Sequence, residues 1–188
     1  MVEKVTGLVL SDFDYGETSK ILNVITKEYG LIGVISKGCR SGKSNLCSVS
    51  QKMTYGYFYI YYKKDKLSIL KNVDFLNSFS KIRQDIVKIS YAAFIMDLAE
   101  QVYKESKETK IFDDIIASLL KIEEGFDPLV ISLIIELRFL NYLGVAPVLN
   151  TCAKCQSTAN IKTLSLNHGG YLCQKCYSNE KIYHSNDS

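Results

Sequence analysis

Two C-x-x-C pairs in the last quarter of this 188-residue chain limit its possible folds more than any other sequence feature. They lie on either side of residues 156–172, and their members are Cys152, Cys155, Cys173 and Cys176. Each pair presents two thiols from one tight turn, and the spacer is long enough for a short hairpin that brings the pairs together. The pattern predicts a tetrahedral zinc site with four thiolate ligands, held by a zinc-binding hairpin at 152–176.

Four thiolates complete the coordination of zinc and leave no position for water or substrate, so the expected role of the metal is structural. A redox-active C-x-x-C pair is the alternative. The chain has only two histidines, and no Ser-His-Asp or Cys-His set can be assembled, so we expect no enzyme activity. Six cysteines without an export signal indicate a reducing cytoplasm. The remaining two, Cys39 and Cys47, are predicted to be buried as small hydrophobic residues.

Residues 1–78 contain five β-rich runs separated by turns, at 5–11, 21–26, 31–36, 53–62 and 67–75. Five short strands with a longer connection after the third indicate an OB-fold barrel, although the spacing leaves an SH3-like barrel open. Residues 12–19 are predicted to be a turn. In the fourth run tyrosines alternate with Gly56, Phe58 and Ile60, so one of the two faces fills the core and at most one can stack on bases.

Beyond residue 78 the apolar residues recur every three or four positions, which predicts three helices with apolar faces that pack on one another. Their predicted bounds are Ser80 as N-cap to about Lys104, Thr109 to the residue before Gly125, and Pro128 to Gly144. The predicted fold is α+β, with an OB-fold DNA-binding domain at 1–78. A helical domain carrying the zinc-binding hairpin follows at 79–188.

Charge is unevenly distributed, because residues 1–78 have a net charge of +4 and residues 79–151 a net charge of −3. The acid-free window 37–52 contains Lys37, Arg40, Lys43 and Lys52. A second, weaker cluster in the turn after the fourth run contains Lys63, Lys64 and Lys66. Lysines beside aromatic residues suit the phosphates and bases of a nucleic-acid strand, whereas a solvated loop would have the same composition. We predict that these seven residues contact DNA.

A phosphate-binding P-loop is not predicted for the segment from Gly38 to Ser44. The motif requires a glycine at position 37, where this chain has lysine, and it opens directly into a helix. The residues after Ser44 lack a helical pattern, so the segment is not expected to bind ATP.

Six segments occur in the order found in the bacterial recombination mediators of the RecO family, and the resemblance covers nearly the whole chain. The segments are Gly7-Leu-Val-Leu, Asp14-Tyr-Gly-Glu-Thr-Ser, Thr26-Lys-Glu-Tyr-Gly-Leu-Ile, Ser36-Lys-Gly-Cys-Arg, Leu143-Gly-Val-Ala-Pro-Val-Leu and Gly169-Gly-Tyr-Leu-Cys. The resemblance implies an N-terminal OB-fold, a helical domain and a zinc-binding module within that domain. It also implies a non-enzymatic protein of the bacterial cytoplasm, associated with the nucleoid.

The same resemblance implies binding of single- and double-stranded DNA and annealing of complementary strands. It further implies action with RecR to load RecA onto DNA coated by single-strand-binding protein, and contact with the C-terminal tail of that protein. The family's Lys-Gly-Ala-Arg element corresponds to residues 37–40, which supports DNA contacts by Lys37 and Arg40. Family members continue with helices beyond the last cysteine pair, so apolar helix surface is expected to be covered by another chain. A protein-interaction adaptor with little DNA affinity is the alternative function, and a zinc- or ATP-dependent enzyme ranks third.

Overall fold

The computed structural model describes residues 1–41 and 44–177. The elements in chain order are β1 Glu3–Tyr15, β2 Ser19–Thr26, β3 Gly30–Ser36, β4 Tyr55–Tyr61, β5 Ser68–Asn77, α1 Ser80–Arg83, α2 Ile86–Ser106, α3 Ile111–Glu124, α4 Pro128–Tyr142, β6 Ile161–Ser165, β7 Gly170–Cys173 and α5 Gln174–Tyr177. No helix within the described ranges is long and apolar enough to cross a membrane.

Strands β1 to β5 close into a barrel in the order β1-β2-β3-β5-β4. All neighbouring pairs are antiparallel except β3 and β5, which are parallel and pair over only Val34–Ile35 and Ser68–Ile69. This strand order is that of an OB-fold, so the topology confirms the predicted barrel and excludes the SH3-like alternative.

In β4 the residues that alternate with the tyrosines face the core of the barrel. Phe58 and Ile60 are fully buried, whereas Tyr57 and Tyr59 are half-buried and Tyr61 is 38% exposed. Because successive side chains of a strand point to opposite faces, the tyrosines share the outer face of the barrel.

The turn predicted at residues 12–19 is shorter in the structure. Strand β1 continues to Tyr15 and pairs with β2 as far as Tyr15↔Ser19, so only residues 16–18 form the turn. Gly16 adopts a left-handed backbone with φ of 61°, which lets the chain reverse without a longer loop. The prediction failed because polar residues such as Asp12 and Asp14 are typical of turns, yet here they extend an exposed strand end.

The helix predicted to begin at Ser80 is two helices in the structure. Asp85 has an extended backbone, and its carboxylate accepts hydrogen bonds from the N–H groups of Val87 and Lys88 at 2.9 and 3.2 Å. A cap of this kind starts a new helix, so α2 begins after Asp85. The side chain of Ser80 caps nothing, and the predicted N-cap is therefore wrong.

The later helix boundaries agree better with prediction. Gly125 ends α3 in a left-handed conformation with φ of 108°, and Pro128 is the first residue of α4. Glu123 near the end of α3 accepts hydrogen bonds from two backbone N–H groups of α1 at 3.0 Å each. This carboxylate supplies the cap that Ser80 does not.

The inside of the barrel has one hydrophobic core, and a second core joins the barrel to the helices. Residues of α1 to α4 pack in this second core together with Leu8, Leu10 and Ile25 of the barrel strands and Met53 of the β3–β4 connection. Met1–Tyr142 accordingly form one compact unit, and Leu143–Ser188 form another. Strands change to helices between Asn77 and Ser80 as expected, while a domain division at residue 78 stays a prediction.

Polar contacts reinforce the junction between barrel and helices. Glu100 on α2 is 8% exposed and accepts hydrogen bonds at 3.0 Å from the side chains of Ser11 and Asn23. Arg83 donates to two backbone carbonyls of the segment between β3 and β4, each at 3.2 Å. Burial lowers the pKa of the Arg83 guanidinium.

The two cysteines outside the C-x-x-C pairs differ. Cys39 is 1% exposed, as predicted, and Cys47 is exposed, so the prediction of burial is wrong for Cys47. Cys47 lies among turns in the β3–β4 connection, where Val49 and Ser50 rather than the thiol face the interior.

Candidate nucleic-acid interface and metal centre

The connection between β3 and β4 carries the first predicted group of DNA contacts and is fixed to the barrel. Its backbone N–H groups at Arg40 and Lys52 donate to Thr18 O at 2.8 Å and to the Asp12 carboxylate at 2.9 Å. Asp12 also pairs with Lys20 at 2.6 Å, and that hydrogen bond raises the pKa of Lys20. Residues 44–52 form turns and bends rather than a helix, which agrees with the expectation that this is not a P-loop.

The basic side chains of this connection differ in whether they form an ion pair. Arg40 forms an ion pair with Asp14 at 3.1 Å, and Lys52 forms one with Asp97 of α2 at 2.6 Å. Lys37 is exposed and takes part in none of the ion pairs of the described residues. Lys43 lies outside the described residues. Lys37 is therefore the member most available to a phosphate.

The turn between β4 and β5 carries the second predicted group, Lys63, Lys64 and Lys66. All three are exposed, and none forms an ion pair within the part of the chain that the structure describes. The turn is held by a Lys66 N–H bond to Lys63 O at 3.4 Å and by a left-handed Asp65 with φ of 56°. A fixed turn thus presents a charge excess to solvent.

An aromatic pair that was not predicted lies beside this turn. The rings of Tyr29 and Tyr62 stack with centroids 4.0 Å apart and an interplanar angle of 10°. They border a cavity of about 510 Å³ whose other lining residues are Leu31, Ile32, Gly33, Lys63, Asp65, Lys66 and Leu67. Tyr29 follows β2 and Tyr62 follows β4, and no spacing in the sequence indicates that the two meet.

Strand β3 connects the two basic groups. The parallel pairing of Val34 with Ser68 places the β4–β5 turn beside the first half of β3, and Lys37 follows its last residue. Gly33 at the cavity and Lys37 are four residues apart, which is about 13 Å along a strand. The six predicted residues that the structure describes therefore form two groups rather than a single patch.

The C-terminal unit contains the predicted metal ligands. The sulfur atoms of all four cysteines lie within 4.8 Å of one another, and those of Cys155 and Cys173 are 3.6 Å apart. Sulfur atoms at about 2.3 Å from a tetrahedral ion are about 3.8 Å from each other, so the arrangement fits one zinc-sized ion. Strands β6 and β7 form the hairpin between the pairs, as predicted. The cluster could hold a metal ion.

Backbone N–H groups favour the thiolate form of two of these four cysteines. Burial raises the pKa of Cys152, but N–H groups of Cys173, Cys155 and Lys154 donate to its sulfur and lower the pKa to about 6. A backbone N–H of Cys176 likewise lowers the pKa of Cys173. Burial and the neighbouring thiols raise the pKa of Cys176 to about 12. A divalent cation would offset the repulsion that opposes the last ionisation.

Family models match both the N-terminal and the C-terminal part of the chain. The family model "Recombination protein O N terminal" matches residues 1–79, and "Recombination protein O C terminal" matches residues 83–181. The chain belongs to the recombination protein O family. This family is one of DNA repair and recombination proteins, as the resemblance in the sequence implied.

Relatives of this family match most of the chain. A DNA repair protein RecO of Exiguobacterium sibiricum is 38% identical over 176 residues, which are 93% of this chain and 70% of that protein. The DNA repair protein RecO of Bacillus subtilis is 35% identical over 181 residues, 96% of this chain and 71% of that protein. That of Bacillus cytotoxicus is 36% identical over 174 residues, with 92% and 70% covered.

Proposed function

We propose that this recombination protein O family member is a non-catalytic recombination mediator in the bacterial cytoplasm, associated with the nucleoid. It binds single- and double-stranded DNA, anneals complementary strands, and acts with RecR to load RecA onto DNA coated by single-strand-binding protein. Family membership supports the role in repair, and the barrel supports the DNA contact. The C-terminal tail of single-strand-binding protein is a further proposed partner.

The observation that carries the proposal is the presence of lysines without carboxylate partners, among the described residues, near both ends of β3. Lys37 follows the strand, and the β4–β5 turn contributes Lys63, Lys64 and Lys66. A strand of DNA along β3 can place phosphates at both positions. Each phosphate that a lysine neutralises releases counterions and makes binding dependent on salt.

The ion pairs rank the contributions of the first basic group. Arg40 and Lys52 have to leave Asp14 and Asp97 before they can bind a phosphate, so each contributes less net affinity than Lys37. Lys43 remains part of the proposal on its charge and position in the sequence. We expect a larger loss of binding from Lys37→Ala than from Lys52→Ala.

A fluorescence-anisotropy titration of labelled single-stranded DNA at several salt concentrations tests the proposal. Lys37→Glu should weaken binding and reduce the slope of log affinity against log salt by about 0.7 for each lost contact. Lys110→Glu is the matched control, because Lys110 is an exposed lysine on the helical side with no ion pair among the described residues. Equal affinity and slope in wild type and Lys37→Glu would contradict the assignment.

An adaptor with little DNA affinity is the second candidate, favoured by the apolar surface of α4. Side chains that are about half exposed form this surface, and they are Leu129, Val130, Leu133, Ile134 and Leu137. A protein partner such as RecR would gain affinity from burying such a surface. Absence of DNA binding at low salt, together with retained RecR binding, would favour this candidate.

For the metal centre we propose one structural zinc ion per chain, held by Cys152, Cys155, Cys173 and Cys176. Zinc bound there would link the turn at the first pair to the end of β7 and supply folding free energy. Four thiolates complete a tetrahedral site and leave no position for water or substrate, which supports a structural role.

A further inference from the structure

The cavity beside the β4–β5 turn combines an aromatic surface with two cationic side chains. Tyr62 packs against the barrel core, and Tyr29 covers its ring. Tyr29 is 41% exposed, so it forms the open end of the stack. A planar group entering the cavity would meet Tyr29, which lines it.

The position of the Tyr29 ring is set by its own hydrogen bonds. Its hydroxyl donates to the Glu3 carboxylate at 2.6 Å, and its backbone N–H donates to Thr26 Oγ1 at 3.0 Å. Thr26 in turn donates to Gly30 O at 2.9 Å, which closes the β2–β3 turn around the ring. The aromatic surface is therefore preorganised, which lowers the entropic cost of stacking a ligand on it.

Lys63 and Lys66 provide the charge at this cavity. Both line it from one tight turn, and the single carboxylate among its lining residues is Asp65, so the lining has a net positive charge. A stacking surface with cations beside it is the combination used for a nucleobase and its phosphates. The volume of about 510 Å³ is within the range of small-ligand sites.

We infer that this cavity is a base-stacking subsite for one nucleotide of single-stranded DNA, with the base on Tyr29 and the adjacent phosphates at Lys63 and Lys66. The inference rests on the proposed DNA-binding function and specifies where an unpaired base is held. Lys37, which directly follows β3 and is about 13 Å from Gly33, suits a phosphate farther along the same DNA strand. A paired base in a duplex does not present its face, so duplex DNA does not use the subsite.

The absence of tryptophan from the chain allows a direct test. Tyr29→Trp places a single reporter on the open end of the stack, and a stacked base quenches its fluorescence. Phe126→Trp is the matched control, because Phe126 is 52% exposed and has the Lys121 ammonium 4.7 Å from its ring, outside the barrel. Each variant is titrated with a thymidine 20-mer, an abasic 20-mer, a blunt duplex and thymidine monophosphate, while anisotropy reports binding in parallel.

The expected result is quenching of the indole fluorescence of the Tyr29→Trp variant by the thymidine 20-mer, and no quenching by the abasic strand or the duplex. The Phe126→Trp variant should show no quenching with any of these ligands. Adding Lys63→Ala and Lys66→Ala should weaken the quenching titration, and Tyr29→Ala should weaken strand binding roughly 5- to 150-fold. Unfolding curves of each variant establish that it is folded.

Strand binding by anisotropy without quenching in the Tyr29→Trp variant would overturn the subsite and leave the proposed DNA-binding function standing. Equal quenching in the Phe126→Trp variant would also overturn it. So would equal quenching by the monophosphate at the same nucleotide concentration, because that result indicates a free-nucleotide pocket. Absence of any binding to strand or duplex would overturn the proposed function itself.

Discussion

Gly30 and Gly16 show how the same backbone conformation has different consequences at two residues. Both are left-handed, with φ of 66° and 61°. A Cβ atom on Gly16 would meet nothing within 4 Å, whereas one on Gly30 would lie 1.7 Å from the Tyr103 hydroxyl of α2. Gly30 is therefore required by the packing of a helix on the barrel as well as by its turn.

Gly30→Ala should destabilise the protein much more than Gly16→Ala. Both substitutions add the left-handed strain of about 1–2 kcal/mol, and Gly30→Ala adds about 1–3 kcal/mol for displacing Tyr103. Urea unfolding followed by circular dichroism measures both values. Equal losses of unfolding free energy in the two variants would show that α2 does not pack on Gly30.

Two buried threonines of the barrel make a second comparison. Thr54 Oγ1 has no hydrogen-bond partner among the described residues, while Thr26 donates to Gly30 O and accepts from Tyr29 N. Thr54→Val should leave the unfolding free energy unchanged or raise it by about 1 kcal/mol, whereas Thr26→Val should lower it by about 1–3 kcal/mol. Thermal unfolding of the two valine variants checks this, and a larger loss from Thr54→Val would contradict it.

For single residues, the sequence indicates the charge of a side chain but not the residue with which it forms an ion pair. The sequence shows the positive charges of Arg40 and Lys52, but their carboxylate partners Asp14 and Asp97 are 26 and 45 residues away. Nothing local in the sequence specifies such pairs, because they depend on how β1 and α2 pack against the connection. The exposure of Cys47 was mispredicted for the same reason, because it too depends on how the β3–β4 connection packs.

Among the elements, the start of α2 gives the clearest prediction. Asp85→Ala removes a carboxylate that accepts two backbone N–H bonds, and it should lower the unfolding free energy by about 0.5–2 kcal/mol. Ser80→Ala is the control, because Ser80 caps nothing with its side chain and should change stability by less than about 0.5 kcal/mol. Chemical denaturation of both variants measures the difference. A larger effect of Ser80→Ala would contradict the assignment of Asp85 as the N-cap and would favour the prediction of one helix that begins at Ser80.

Element types were predictable where periodicity was strong. The alternation along β4, the glycine that ends α3 and the proline that begins α4 each have one dominant local cause, so their prediction succeeded. The division between α1 and α2 was missed because the apolar period continues through Asp85 while the backbone does not. The spacing of the strands indicated an OB-fold but also allowed an SH3-like barrel. The choice of the OB-fold therefore depended on the family resemblance.

On the scale of the whole molecule, the two compact units differ in what stabilises them. Met1–Tyr142 contain two large hydrophobic cores, while the buried hydrophobic cluster of the C-terminal unit contains, among the described residues, only Cys152, Leu172 and Cys173. A core of this size is insufficient without a crosslink or a metal. The clustering of the four cysteine sulfur atoms was predictable because the spacing of the two C-x-x-C pairs, rather than packing, indicates it.

Removal of the metal should therefore unfold the C-terminal unit and spare the rest. We expect one equivalent of zinc per chain by metal analysis, and its loss in Cys152→Ser or Cys173→Ser. Hydrogen exchange should then become fast within residues 143–177 and stay slow in the buried strands and helices of 1–142. Cys47→Ser is the control that should keep the zinc, because Cys47 is exposed and outside the cluster. Unchanged exchange in metal-free protein would contradict a structural role.

The parallel pairing of β3 with β5 is the shortest join in the barrel, with two residue pairs against six or more for every other join. We expect transient opening of the barrel wall to begin at this seam, since fewest hydrogen bonds have to break there. The stacking cavity lies beside its beginning and Lys37 just beyond its end. A DNA strand bound at both places would bridge the β3–β5 pairing. Binding would therefore suppress this opening and make the barrel more rigid.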